Sequence, residues 1–262
     1  MKTPLRLVPV PMFNDNYLWL LIAANGNTIA VDVGDYDVLA HYLQAHDLTL
    51  TTVLITHHHR DHIAGLVDLK KNHPNVPIYG SASISGITHA LDGGNIINIP
   101  HFGRFLVLDI SGHTKIHLAF YHFADKVLFC SDCLFSAGCG RIFDGDALSF
   151  YHSIQKISLL ADDTILCPAH EYTLSNLQFA LAVEPNNQDS KDYQQQCLLL
   201  RQQHRPTLPT LLGKEKRLNP FLRCHLLVKE ISALTQQSCQ TSAQGFAALR
   251  RYKNDWQSSN LL

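Results

Sequence analysis

Thr56-His57-His58-His59-Arg60-Asp61-His62 follows directly on Val53-Leu54-Ile55, an apolar run with the pattern of a buried strand. The stretch places four strong ligands, His57, His59, Asp61 and His62, within six residues. In extended or looping backbone alternate residues point the same way, so His57 and His59 can face one point while His58 faces elsewhere. Asp61 and His62 then begin a helix, whose turn carries them to a neighbouring point. One strand-to-helix loop can thus serve two adjacent metal sites. Imidazole nitrogen with carboxylate oxygen suits zinc, iron or manganese better than calcium or a thiolate-seeking metal. A solvated His-rich loop that binds metal only adventitiously is the alternative. Against it, strands run out into potential ligands three more times: Gly112-His113-Thr114 after Phe105 to Ile110, Ser131-Asp132 after Lys126 to Phe129, and Ala169-His170-Glu171 after Thr164 to Cys167. That placement matches the rule that α/β proteins build sites at one edge of a sheet, on loops held by a rigid scaffold.

The rest of the chain is read around that loop. Its 262 residues are 46% hydrophobic and 16% charged, which excludes a disordered tail or fibrous repeat and allows a large domain with a smaller companion. A net charge of −1 provides no global field for nucleic acid or anionic membrane, so neither is expected as a partner. Seven cysteines, an odd count in a chain too long to need staples, suit reduced thiols in a cytoplasm. Leu18 to Ala24 is too short for a membrane span and lacks a basic lead, and no later apolar run reaches the roughly 18 residues a spanning helix needs. A soluble protein is expected.

Strand candidates Tyr17 to Ala23 and Thr28 to Val33 flank Asn25-Gly26-Asn27, a hairpin signal because Asn and Gly tolerate positive φ. Asp35 to His46 carries helical spacing, Thr52 to Thr56 returns to strand, and Ile63 to Lys71 is helical before His73-Pro74. Ile78 to Tyr79 and Ile116 to His122 add further strands. Mixed short strands with interspersed helices indicate a layered α/β sheet. After His170 the texture changes: Leu174, Leu177 and Leu181, then Tyr193, Cys197 and Leu200, keep helical spacing, and Ala247 to Arg251 closes the chain with another helix.

Taken together, THHHRDH, GHT, SD and AHE resemble the metallo-β-lactamase superfamily, whose HxHxDH pattern is matched in full at His57, His59, Asp61 and His62. Phe13-Asn14-Asp15-Asn16-Tyr17, Gly138-Cys139-Gly140-Arg141, His170-Glu171-Tyr172-Thr173 and Asn219-Pro220-Phe221 narrow the resemblance to the glyoxalase II, or hydroxyacylglutathione hydrolase, family. It runs from about residue 10 to 256 and includes a helical C-terminal part that most superfamily members lack.

The resemblance implies an α/β fold, an αββα sandwich over 1–170, with a small helical glutathione-binding domain over 171–262. It implies one metal on His57, His59 and His113, a second on Asp61, His62 and His170, and Asp132 bridging them. The expected cofactors are two divalent ions, zinc first, with iron or manganese as alternatives. A hydroxide shared by the two ions, supported by Asp61 and Asp132, would attack the thioester carbonyl of S-D-lactoylglutathione, giving D-lactate and glutathione. The family's substrate contacts map to Arg141, Phe143, Tyr172, Arg250 and Lys253. Arg250 and Lys253 are three apart, so one helix face can present both cations to an anion; without the family they read as a solvated helix end. A monomer is expected.

The chain departs from the family pattern at Ser131 and Cys133, where Gly and Thr are common, at Ser111 in place of Pro, at Thr114-Lys115-Ile116-His117, and at Phe143, where some members carry Tyr. No departure removes a ligand. The Cβ of Ser131 matters if that backbone needs positive φ. Activity with weaker substrate affinity is expected. Cys130, Cys133 and Cys139 read as packing residues, His58 and His117 as non-ligands, and Asp32 as either a partner for a ligand imidazole or a turn cap. Fold alone leaves open a lactonase, a β-lactamase, a persulfide dioxygenase with one iron, or a non-catalytic metal-binding relative.

Overall fold

In the computed structural model, which describes residues 5–259, alternating apolar runs become strands and the runs of helical spacing become helices. Residues 1–4 of the first expected domain and 260–262 of the second lie outside the described residues. The chain forms two compact units, Met1–Asp109 with Ile116–Ser131, and Ile110–Lys115 with Asp132–Leu262.

The first unit opens with β1 (Arg6–Met12), β2 (Asn16–Ile22) and β3 (Asn27–Val31), an antiparallel meander. Helix α1 (Tyr36–Ala45) returns the chain to β4 (Thr49–Leu54), which lies parallel to β3. Asp35 starts α1 by accepting from the backbone N–H groups of Asp37 and Val38, satisfying two donors that the first turn leaves open. The expected helix after the His-rich loop is two: α2 (Arg60–Ile63) and α3 (Leu66–Asn72), interrupted at Ala64-Gly65. β5 (Ile78–Gly80) and β6 (His89–Ala90) extend the parallel edge, giving the order β1-β2-β3-β4-β5-β6. A second meander follows: β7 (Ile96–Ile99), β8 (Gly103–Asp109), β9 (Leu118–His122) and β10 (Val127–Ser131). The Leu118 N–H donates to Thr56 O at 2.9 Å, fastening the start of β9 to the residue before His57.

Every residue of β2 is buried, as expected of a strand covered on both faces. Leu18, Leu20 and Ile22 join Leu39 and Leu43 of α1, Leu66 and Leu69 of α3, and Val53 of β4 in one core. That core fixes the ends of β3 and β4, from which Asp32 and the His-rich loop emerge.

The second unit carries a short hairpin, β11 (Leu134–Phe135) and β12 (Gly138–Cys139), then α4 (Ala147–Ser158), β13 (Ile165–Pro168), α5 (Thr173–Val183) and α6 (Gln188–Gln202). β14 (Thr210–Leu211), α7 (Leu212–Leu218), α8 (Val228–Thr235) and α9 (Ser242–Ser259) complete it. The tail is therefore not wholly helical: Thr210–Leu211 pairs antiparallel with β13, a strand too short to reveal alternation in the sequence. Ala137, Leu177, Ala180, Tyr193, Cys197 and Leu218 pack the hairpin turn against α5, α6 and α7. Phe246 of α9 meets Phe150 of α4 edge-on at 5.4 Å and Phe221 at 5.6 Å. No helix among the described residues is long and apolar enough to cross a membrane.

Leu20 is fully buried, so Leu20→Ala should cost about 2–5 kcal/mol in a urea melt. Val67 is 78% exposed, and Val67→Ala should stay within about 0.5 kcal/mol.

Candidate metal centre

In the first unit the ligand loop leaves β4 with His57 buried, His58 exposed and His59 half-buried, the alternation that extended backbone imposes. His59 is the residue before α2, so Asp61 and His62 occupy its first turn. The His57 ring lies 4.2 Å from His62 and 4.7 Å from His59. It also stacks on His117 at 4.5 Å with 15° between planes, which makes His117 a wall of the site. Gly34 admits this arrangement: a Cβ there would fall 1.9 Å from the backbone oxygen of Asp61.

Asp32 lies beneath the loop, in the left-handed region at φ 60°, which Asp tolerates better than most residues. Its Oδ1 accepts the Thr56 N–H at 2.9 Å; its Oδ2 accepts the hydroxyls of Thr56 at 2.8 Å and Ser131 at 2.9 Å and the His62 Nδ1–H at 2.9 Å. Because Thr56 gives its proton to Asp32, its oxygen is left to accept from His57 Nδ1 at 3.0 Å. Asp32, His57 and His62 could together hold an ion by distance alone. The hydrogen bonds instead make Asp32 the orienting partner, because they place protons on Nδ1 and leave the Nε2 lone pairs for a metal. His62 Nε2 and Asp61 Oδ2 are 3.4 Å apart, and Asn16 Nδ2 steadies that oxygen at 2.9 Å.

Ser131 has φ 47°. Holding a non-glycine residue there costs on the order of 1–3 kcal/mol. Its hydrogen bond to the Asp32 carboxylate recovers about 1.5–3 kcal/mol. The two offset, which accounts for serine at this position.

In the second unit Asp132 follows immediately and presents its oxygens to different imidazoles, Oδ2 to His113 Nε2 at 3.4 Å and Oδ1 to His170 Nε2 at 3.3 Å. Two ligands on one tetrahedral ion with bonds near 2.0–2.1 Å lie about 3.3–3.4 Å apart, so these separations fit a carboxylate shared between two metals. His113 Nδ1 donates to the Arg141 carbonyl at 2.6 Å, again reserving Nε2. Gly140 permits this approach, since a Cβ there would lie 2.1 Å from Asp132 O and 2.8 Å from His113 Nδ1. Tyr172 stacks on His170 at 4.7 Å with planes 6° apart, and Phe135 meets the same ring edge-on at 5.7 Å. The donor chemistry of both units, imidazoles with fixed tautomers and carboxylates, fits divalent metal.

Among the residues expected to touch substrate, Arg141 is exposed and Phe143 is 64% exposed, its ring edge-on to His113 at 5.3 Å. Arg250 and Lys253 share a face of α9 but are each only 2% exposed, which excludes a solvated basic helix end. Arg250 Nη1 donates to the carbonyls of Cys139 at 2.9 Å and Gly140 at 3.2 Å. Lys253 Nζ donates to Asn176 Oδ1, whose amide in turn donates to Ser136 O at 3.0 Å. Neither cation forms an ion pair among the described residues. Burial, with Arg250 nearby, pulls the Lys253 ammonium down to about 7. Burial likewise raises the Cys139 thiol, and the seven cysteines are all buried and form no disulfide. Low thiolate character at Cys139 suits a packing residue.

Comparison with known proteins places these features in context. Residues 15–170 match the model of the metallo-beta-lactamase superfamily, and 171–256 match the hydroxyacylglutathione hydrolase C-terminus. A hydroxyacylglutathione hydrolase of Aliivibrio salmonicida is 41% identical over 96% of this chain and 100% of its own length. Hydroxyacylglutathione hydrolase 2 of Vibrio vulnificus is 43% identical over the same shares. Among solved structures, ETHE1 from Myxococcus xanthus superimposes with a TM-score of 0.64, 20% identity, and coverage of 94% of this chain and 90% of that one, a likeness of fold.

Replacing Asp32 by Asn removes its charge and turns one acceptor oxygen into an amide donor, so the donors from Thr56, Ser131 and His62 can no longer all be satisfied. Metal affinity measured by chelator competition should fall roughly 10–100-fold while the chain remains folded by circular dichroism.

Proposed function

The chain belongs to the metallo-β-lactamase superfamily and, within it, to the hydroxyacylglutathione hydrolases, and on that footing we propose that it hydrolyses S-D-lactoylglutathione and related glutathione thioesters to D-lactate and glutathione, the second step of methylglyoxal detoxification. The observation that carries this reading to the residues is Asp132, each oxygen of which faces a different imidazole. His57, His59 and His113 would hold one divalent ion and Asp61, His62 and His170 the other, with Asp132 available to both. Zinc is the metal assigned, with iron and manganese sharing the same donor preferences. Such a pair supplies Lewis acidity at the thioester carbonyl and a nucleophilic hydroxide at neutral pH.

The chain's own contribution is orientation and charge. Asp32, Thr56 and the Arg141 carbonyl keep protons on Nδ1, so His57, His62 and His113 are neutral donors through Nε2. Asp61 and Asp132 bring two negative charges that would offset part of the charge of two dications. Arg141, Phe143 and Tyr172 contact glutathione, while Arg250 and Lys253, buried cations without a carboxylate partner among the described residues, add the positive potential that attracts its carboxylates. Residues 1–170 form the catalytic domain and 171–262 the glutathione-binding one. The protein acts as a monomer in the cytoplasm, without nucleic acid or membrane as partner; seven cysteines without a disulfide and a net charge of −1 support that setting.

Asp132→Ala should lose bound metal and nearly all thiol release from lactoylglutathione; retention of both in a folded variant contradicts the assignment. Arg250→Ala with Lys253→Ala should chiefly raise KM. The Lys253 charge is present below about pH 7 and lost above it. The native advantage in kcat/KM over Lys253→Met should therefore shrink as pH rises from about 6 to 8.5.

A further inference from the structure

Glu215 of α7 is wholly buried and distant in sequence from every ligand, yet its carboxylate joins the elements that carry two of them. Oε2 accepts the Ala137 N–H at 2.7 Å, and Oε1 accepts the hydroxyls of Ser136 and Thr210, each at 2.8 Å. Asn219 Nδ2 donates to Oε2 at 3.3 Å and also to Phe135 O at 3.0 Å and Gly138 O at 2.9 Å. Every contact is a donor to oxygen; these hydrogen bonds oppose, without cancelling, the burial that pushes the Glu215 carboxyl above the usual carboxylate range. Ser136 and Ala137 form the turn of the β11–β12 hairpin, which begins two residues after Asp132 and runs straight into Gly140-Arg141. Thr210 belongs to β14, the partner of the strand that leads to His170. Ala137 itself sits at φ 57°, a conformation the turn needs held from outside.

A second line of polar groups runs from the same turn. The Tyr193 hydroxyl lies 3.5 Å from Ser136 Oγ and donates to Thr207 O at 3.4 Å. The Thr207 N–H and hydroxyl both donate to Glu171, the residue after His170. A fully satisfied buried network of this kind rigidifies what it touches, whereas a half-satisfied one is costly.

We propose that Glu215 is a positioning residue for glutathione recognition: from inside the helical region it fixes the Ser136–Ala137 turn and so sets where Gly140 and Arg141 stand beside His113. The inference rests on the glutathione thioester reading above. Holoenzyme of the native chain and of Glu215→Gln is assayed with lactoylglutathione and with the lactoyl thioester of N-acetylcysteamine, which lacks the glutathione peptide. Metal content and amide exchange over 134–141 are measured alongside. The expected result is a KM for lactoylglutathione raised about tenfold with kcat within about twofold. Unchanged metal content, unchanged kcat/KM on the short thioester and faster exchange of the 136–141 amides should accompany it. An unaltered KM in folded Glu215→Gln overturns the proposal, as does an equal loss on both thioesters, the mark of a merely structural role. Should Glu215→Gln not fold, Ser136→Ala and Thr210→Val, which each remove one donor, decide by the same criterion. A native chain that does not prefer the glutathione thioester sinks the underlying reading, and the inference with it.

Discussion

The carboxylate of Asp32 is the constraint on which the first ligand group depends. It is buried, and a buried charge persists only where hydrogen bonds replace its water. Thr56, Ser131 and His62 supply them, and in doing so they are locked in place. The same contacts that stabilise the anion settle which nitrogen of His57 and His62 carries a proton. Stability and ligand competence thus share one set of bonds. The strand ends are held to that geometry by an apolar core from Leu18 to Leu69, and Gly34 lets the Asp61 backbone approach.

The second ligand group follows a comparable logic with different parts. Asp132 sits at the start of a stretch in which every residue to Gly140 is buried. Hairpin carbonyls that would otherwise lack donors are taken by Asn219, Asn176 and Arg250 from the helices around it. A loop on such a scaffold keeps its shape because each of these polar groups is costly to strand. Side chains of the helical tail thus hold the carbonyls of the segment that leads to Arg141.

Much of this was legible in the sequence because the signals were local. Alternation predicts His57 inward and His58 outward, and the spacing of Leu174, Leu177 and Leu181 yields α5. Asp32 read equally as a cap or as an imidazole partner, since the difference lies in residues 24 to 99 positions away, which only the fold brings near. Helix α4 is masked in the sequence although Phe150, Ile154 and Ile157 keep helical spacing after the capping Asp146; polar His152, Ser153, Gln155 and Lys156 lie between them and dilute the pattern. β1 was hidden by Pro9 and Pro11, which sit in a sheet edge where missing donors are tolerated. Arg250 and Lys253 have the composition of a solvated helix end, and Glu215 lies between Lys214 and Lys216, so charge pattern alone points all three outward. Their polar partners are the Cys139 and Gly140 carbonyls for Arg250, the Asn176 amide for Lys253, and the Ala137 N–H with the Ser136 and Thr210 hydroxyls for Glu215, information that no window around these residues contains.

A stepwise return of zinc to chelated, folded protein, with thiol release from lactoylglutathione followed at each addition, bears most directly on the central claim. Turnover that is absent at the start and climbs until two ions per chain are bound agrees with a shared pair held by these histidines and aspartates. Full turnover before any metal is returned contradicts it.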